Sequence, residues 1–308
     1  MRIAVMGAGG VGGYFGGLLA HAGEEVTFIA RGEHLRAIQS RGLRIESIHG
    51  SFTIQPAQAT DDPAVVGPVD LILFTTKTHH IEPAGEALRP MVGPQTAILP
   101  LQNGVDASER LIAILGPGPV LGGTCRIVSL VAAPGVIQQS SPFRHITLGE
   151  LDGSITPRVQ AIADALSRAG VPVEVSDNIN QARWTKFLFI APYSGMGAVT
   201  RVPAGELMAC PEARHMLEQA MREVEALARE CGVVLEEDIV PRTLAFCEGL
   251  APDSTSSMQR DIMEGRPSEL EAQNGFVMRR GAELGIPVPV NTFIYSVLLP
   301  QERRARGG

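Results

Sequence analysis

Near its N-terminus the chain reads Gly7-Ala8-Gly9-Gly10-Val11-Gly12, a G-x-G-x-x-G pattern. An apolar run, Ile3 to Met6, precedes it. The segment Gly10 to Ala22 follows, with Val11, Phe15, Leu18 and Leu19 on one helical face and Gly23 as its stop. Strand, glycine turn and helix in that order are the context in which the pattern holds a dinucleotide pyrophosphate. Gly7 permits the tight turn, Gly9 lets the backbone approach the ligand, and Gly12 lets the helix close on the strand. The free N–H groups and positive end of the helix then face the anion. The next strand, Val26 to Ala30, runs into Arg31. Bare ribose hydroxyls need a carboxylate acceptor at that place, whereas an arginine suits a 2′-phosphate. The expected cofactor is NADP(H), with Glu33 keeping NAD as the alternative.

Other candidates sit at strand ends, where open α/β sheets bind their ligands. Lys77 follows the run Leu71 to Thr75, and Asn103, within Gln102-Asn103-Gly104, follows Ala97 to Leu101. Singly, each reads equally as a polar cap where a strand meets solvent; their matching positions single them out. Lys186 opens the apolar run Phe187 to Ile190. It is either a lysine with its stem along a helix surface and its ammonium in water, or a proton donor placed in a cleft. From residue type alone, Ser256 and Ser257 are helix caps and Glu269 is an exposed helix residue. His79 and His80 are neighbours that should point apart, with no further ligand at metal spacing.

The elements that must position these groups fall into two sets. Up to residue 176, short β-branched runs alternate with helical segments: His34 to Arg41, Val120 to Gly123, Ile146 to Gly149, Val159 to Ala169 and Val171 to Val175 join those already named. Such alternation predicts a parallel sheet with helices on both faces. Beyond Ser176 to Gln181 helical periodicity dominates, clearest over Pro211 to Cys231. The spacing predicts one helix over Pro267 to Leu284 and a last one from Phe293 towards Gln301, capped by Asn291 or Thr292, with a frayed tail from Arg303. The expectation is an α/β Rossmann-type N-terminal domain with a parallel sheet over 1–176, followed by an all-α C-terminal domain for substrate and dimerisation over 177–308. Active sites commonly occupy the cleft between two such domains.

Bulk properties narrow the class. A chain of 308 residues suits two domains, and its net charge of −7 argues against nucleic-acid or anionic-membrane partners. No apolar stretch is long enough for a membrane span, and the glycines at once interrupt any signal-peptide pattern. Four scattered cysteines without a CxxC pair fit a reducing compartment, so the expected location is cytoplasmic. The long apolar face of 211–231 leaves a homodimer open.

The order of Gly7 to Gly12, Arg31, Lys77, Gln102-Asn103-Gly104, Trp184-x-Lys186, Gly205-Glu206-Leu207, Thr255-Ser256-Ser257-Met258-x-x-Asp261-Ile262 and Glu269 to Asn274-Gly275 resembles the ketopantoate reductases (2-dehydropantoate 2-reductases). The glycine turn is common to many families; the Ser256 to Gly275 stretch is specific. The resemblance covers nearly the whole chain. It implies NADPH-dependent reduction of the C2 ketone of ketopantoate to (R)-pantoate, in pantothenate and coenzyme A biosynthesis. By matching position it implies Lys186 as general acid and Asn103 in contact with cofactor and substrate. It likewise implies Lys77 as a cofactor contact, Ser257 as a substrate contact, and Glu269 beside the cofactor and the lysine. Where the family pattern has three substrate-binding asparagines, this chain has Ile190, Ser194 and Ala204. Serine still offers a hydrogen bond; the other two side chains do not. A second reading is therefore a reductase of another, bulkier or branched 2-oxo acid. A third is a non-catalytic NADP(H)-binding sensor, against which Lys186 and Glu269 together argue.

Overall fold

The structure, a computed structural model, describes residues 1–307. The chain divides into two compact units. The first comprises Met1–Gln102 and Asp106–Ala182; the second takes Asn103–Val105 and everything from Arg183 onward.

In the first unit the order is β1 (Arg2–Met6), α1 (Gly10–His21), β2 (Glu25–Ile29), α2 (Gly32–Arg41), β3 (Leu43–Ser47), β4 (Phe52–Ile54), β5 (Gln58–Thr60), β6 (Leu71–Phe74), α3 (Ile81–Ala87), β7 (Ala97–Pro100), α4 (Ala107–Leu115), β8 (Gly122–Ala133), β9 (Val136–Gly149), α5 (Pro157–Arg168) and β10 (Val173–Val175). Five strands form an all-parallel sheet in the order β5-β2-β1-β6-β7. The strands β6 and β7 are buried at every residue, as covering both faces of a parallel sheet requires.

A second sheet, β10-β9-β3-β4 with β8 on β9, departs from the single sheet that the alternation predicts. Its spine is a long antiparallel hairpin, β8 and β9, turning at Pro134-Gly135. Only the ends of this hairpin, 120–123 and 146–149, carry a buried-strand pattern. Its middle exposes Val128, Leu130 and Phe143 and so lacks a continuous apolar signature. Helix α1 lies between the two sheets, and its glycines make this possible. A Cβ on Gly12 or Gly16 would collide with Val5 of the first sheet; one on Gly13 or Gly17 would press on Ile137 or Ile45 of the second. Glycine pairs four apart on two faces let backbone meet side chains on both sides.

The second unit is helical: α6 (Ile179–Thr200), which begins within the first unit, then α7 (Ala204–Ala209), α8 (Pro211–Glu230), α9 (Ile239–Glu248), α10 (Ser257–Met263), α11 (Asn274–Leu284) and α12 (Pro289–Ala305). Helix α8 buries Leu217, Ala220, Met221, Val224, Leu227 and Ala228, the stripe its periodicity predicts. Three expectations need correction. Residues 267–269 are loop and 270–273 turn, and the helix starts only at Asn274. Asn291 lies inside α12, fully buried, rather than capping it. The cap comes from another helix: the Glu223 carboxylate accepts from the Val290 and Asn291 N–H groups at 2.7 and 2.9 Å, an anion at a helix N-terminus. The tail is also helical to Ala305, because Arg306 folds back on Glu302. Among the described residues no helix is long and apolar enough to cross a membrane, and no group of three His, Cys, Asp or Glu residues could hold a metal.

Candidate active site

The candidate residues divide between the two units. In the first, β1 delivers the chain into Gly7, whose φ of +100° lies in the left-handed region. A Cβ there would stand 2.9 Å from the Thr76 amide nitrogen. The Thr75 hydroxyl donates to the Gly7 carbonyl at 2.8 Å and clamps the turn to the end of β6. Gly9 precedes α1 with no side-chain cap, and a Cβ there would meet nothing within 4 Å. The N–H groups of Gly10, Val11 and Gly12 have no partner inside the helix. No acidic residue occupies the first turn. These donors, the open backbone at Gly9 and the buried, unbonded Thr76 hydroxyl beside the turn fit a dinucleotide pyrophosphate.

Gly12 is the tightest point: a Cβ would lie 2.2 Å from the Thr75 hydroxyl and 2.3 Å from the Gly7 carbonyl oxygen. Gly12→Ala is expected to cost about 1–3 kcal/mol of stability and to weaken dinucleotide binding. Thermal melting and fluorescence titration with NADPH check this, and undiminished binding would remove Gly12 from the site.

Arg31 stands at the N-cap of α2, exposed and extended, directly after β2. Lys77 is exposed where β6 gives way to a short 3₁₀ turn, Thr78–His80. In that turn the His79 and His80 rings meet with centroids 4.3 Å apart instead of pointing away from each other. A residue that spacing did not single out, His34, bridges two backbones. Its Nε2 is 2.8 Å from the Ala8 carbonyl oxygen, and the Gly135 N–H donates to its Nδ1 at 3.0 Å.

In the second unit, Lys186 stands half-buried on α6. Trp184 and Phe187 flank it and meet Phe276 of α11 edge-on, with centroids 5.7 to 6.1 Å apart. This aromatic trio docks the lysine's helix on the start of α11, just after the segment that carries Glu269. Glu269 is only 5% exposed, so the expectation of an exposed helix residue fails: the segment is a turn folded inwards. Its carboxylate accepts from the Asn103 amide at 3.0 Å. The buried Arg183 guanidinium donates to the Val105 carbonyl and ties the Asn103 segment to α6. Asn103, Glu269 and the lysine's helix are thus assembled in one unit from three separate stretches of chain.

Ser257 is the first residue of α10 and half-buried, while Ser256 is the cap, accepting from the Gln259 N–H at 3.0 Å. Ser194 is 1% exposed, and its hydroxyl has no protein partner. Ile190 is half-buried and Ala204 buried. Gln273 had no signal in spacing, yet it is fully buried with both side-chain amide atoms unbonded. Nothing in its sequence neighbourhood marks it, since Glu271 and Asn274 beside it are polar as well.

A glycine turn at the carboxyl end of a parallel sheet, joined to a helical unit carrying lysine, asparagine and glutamate, is the design of a Rossmann-type NAD(P)-dependent reductase. Comparison with known proteins makes this specific. The family described as ketopantoate reductase PanE/ApbA matches residues 3–153, and its C-terminal counterpart matches 178–302. The chain belongs to the ketopantoate reductase family. A 2-dehydropantoate 2-reductase of Nostoc sp. is 32% identical over 314 residues, covering 100% of this chain and 97% of the relative. The Bacillus subtilis protein named uncharacterized oxidoreductase YkpB is 30% identical, covering 97% of this chain and 98% of its own. The crystal structure of a PanE/ApbA family ketopantoate reductase from Ralstonia eutropha JMP134 superposes with a TM-score of 0.92 at 33% identity, covering 99% of this chain and 100% of that one.

Proposed function

We propose that this protein reduces ketopantoate to pantoate with NADPH, as the names of its relatives suggest. The observation that carries the reading is the Asn103–Glu269 hydrogen bond, which sets two of the polar groups that such a reaction needs. In this reading residues 1–176 hold the dinucleotide and 177–308 bind the substrate. Bound NADPH supplies a hydride for the C2 carbonyl carbon. The Lys186 ammonium donates a hydrogen bond to the carbonyl oxygen, stabilises the negative charge that grows there and passes it a proton. Asn103 donates its amide to the reactants while Glu269 holds it in orientation. The Ser194 and Ser257 hydroxyls hydrogen-bond the substrate's polar groups. Gly7 to Gly12 cradle the pyrophosphate, and Lys77 supplies positive charge at the neighbouring strand end. Four cysteines without a disulfide support a cytoplasmic setting, whereas the apolar stripe of α8 is already buried within its own unit and gives no ground for a homodimer.

The test is NADPH oxidation with ketopantoate beside a panel of other 2-oxo acids. Selective turnover of ketopantoate sustains the proposal. Preference for a bulkier or branched acid favours the second reading, for which Ile190 and Ala204, unable to hydrogen-bond through their side chains, give the ground. Tight NADPH binding with no turnover means a sensor.

Arg31 is the specificity element for the 2′-phosphate. Arg31→Glu is expected to weaken NADPH binding by roughly 10- to 100-fold, the worth of a charge-assisted pair, with NADH little changed. Parallel titrations with the two cofactors measure it. Equal losses for both would assign Arg31 to the fold instead.

A further inference from the structure

We propose that His34, neutral and with its proton on Nε2, is a positioning residue that holds the dinucleotide turn in its binding shape by tying it to the tip of the β8–β9 hairpin. The inference rests on the NADP(H) reading of that turn. Its tautomer follows from donors and acceptors alone. A backbone N–H can only donate, so the Gly135 N–H requires a lone pair on Nδ1. The proton of the neutral ring is then on Nε2, where it donates to the Ala8 carbonyl. Ala8 is thereby held from both sides, since its own N–H donates to Ile29 of β2 at 3.1 Å.

The other end of the tie is firm. The Gly135 carbonyl accepts from the Arg44 N–H of β3 at 2.9 Å, and a Cβ on Gly135 would meet Ala37 of α2 at 3.0 Å. The hairpin also backs the turn directly: a Cβ on Gly10 would lie 2.5 Å from the Ser129 carbonyl oxygen. The hairpin therefore supports the turn at two points, Ser129 behind Gly10 and His34 beneath Ala8.

The tie is sensitive to protonation. A charged ring carries hydrogen on both nitrogens, so Nδ1–H would confront the Gly135 N–H and that bond would be lost. Burial pushes the ring's pKa below its ordinary 6.5, with the Ala8 carbonyl pulling the other way. Charges nearby are few. The glycine turn, the hairpin tip 132–136 and β5 carry no ionisable side chain. On α2 and at its cap, Arg31, Glu33, Arg36 and Arg41 are exposed, and on β3 Arg44 is paired with Glu46 at 2.8 Å. Folding thus favours the neutral ring. The tie is complete above pH 6.5 and is lost as pH falls through the ring's lowered value.

The test is the NADPH dissociation constant between about pH 8 and about pH 5, for wild type, His34→Gln and His34→Leu. NADH is titrated in parallel to remove the contribution of the 2′-phosphate. Wild-type affinity is expected to fall by about tenfold on acidification, the worth of one lost hydrogen bond. His34→Gln offers a donor and an acceptor that do not titrate, so its affinity should stay near the neutral wild-type value throughout. His34→Leu should be weak at every pH. Identical pH profiles for wild type and His34→Gln would overturn the inference, as would nitrogen NMR that finds the proton on Nδ1. If the wild type binds neither cofactor at any pH, the cofactor reading itself falls, and this is distinguishable because a wrong role for His34 leaves binding intact.

Discussion

Lys186→Met is expected to lower kcat by roughly 10²- to 10⁴-fold, the range for a lost general acid. NADPH affinity should stay within about twofold, because the glycine turn to which the proposed function gives the pyrophosphate is built by another stretch of chain, in the first unit. Methionine keeps the length and apolar stem of lysine, so the contacts between Trp184, Phe187 and Phe276 should survive and the melting temperature should barely move. On the proposed mechanism, what disappears is the positive charge at the carbonyl oxygen and the proton that follows it. Single-turnover rates with preformed NADPH complex measure the chemical step directly. A kcat within about tenfold of wild type would show that another group donates the proton. Glu269→Gln should give a smaller effect, since an amide still accepts from Asn103.

The largest stability effect is expected at Glu302. Its carboxylate, 2% exposed, accepts from the Ser268 N–H at 3.1 Å, the Ser268 hydroxyl at 2.6 Å and the Arg306 guanidinium at 2.6 Å. Arg306 closes the ring by donating to the Ser268 carbonyl at 3.1 Å. Glu302→Ala removes the hub and leaves two buried Ser268 donors without partners, at a cost of about 3 kcal/mol. Ser268 adjoins Glu269, so the same substitution should also free the turn that orients Asn103 and lower kcat. Thermal melting and steady-state kinetics on one preparation check both effects. Glu302→Gln, which keeps acceptors for Ser268 but loses the charge facing Arg306, should fall between. Unchanged melting for Glu302→Ala would mean that the turn is held by its apolar neighbour Leu270 instead.

Much of this architecture is legible in the residues, for physical reasons that differ from place to place. The strands β6 and β7, and β1 after its exposed Arg2, are short and buried, so they appear as unbroken apolar runs; α8 is half-buried and appears as a stripe. The second sheet is hidden because its pairings are distant and its faces mixed: β3 pairs with β9, and β4 is three residues long. Spacing reports only local caps, so it misplaces a helix end where the cap comes from elsewhere in the chain, as Glu223 does for α12. In the candidate site the glycine turn carries its own context. Glu269 does not: nothing local distinguishes a carboxylate turned inwards to Asn103 from one on a helix surface. His34 stayed unmarked for a similar reason, because its partners are backbone atoms far away in the chain.

The pairing of β3 with β9 bears on how the molecule is made. Leu43–Ser47 is synthesised long before Val136–Gly149, and between them the chain completes most of the parallel sheet. During translation β3 and β4 must wait as a ribbon whose β3 edge, later taken by β9, is still open, the kind of edge that invites pairing with another chain. Closing so long a loop is slow, so the second sheet should form late, after the hairpin has folded on itself. The nascent chain is therefore most exposed to aggregation in the interval between completing β7 and completing β9, and a chaperone that binds extended apolar segments should hold it best there.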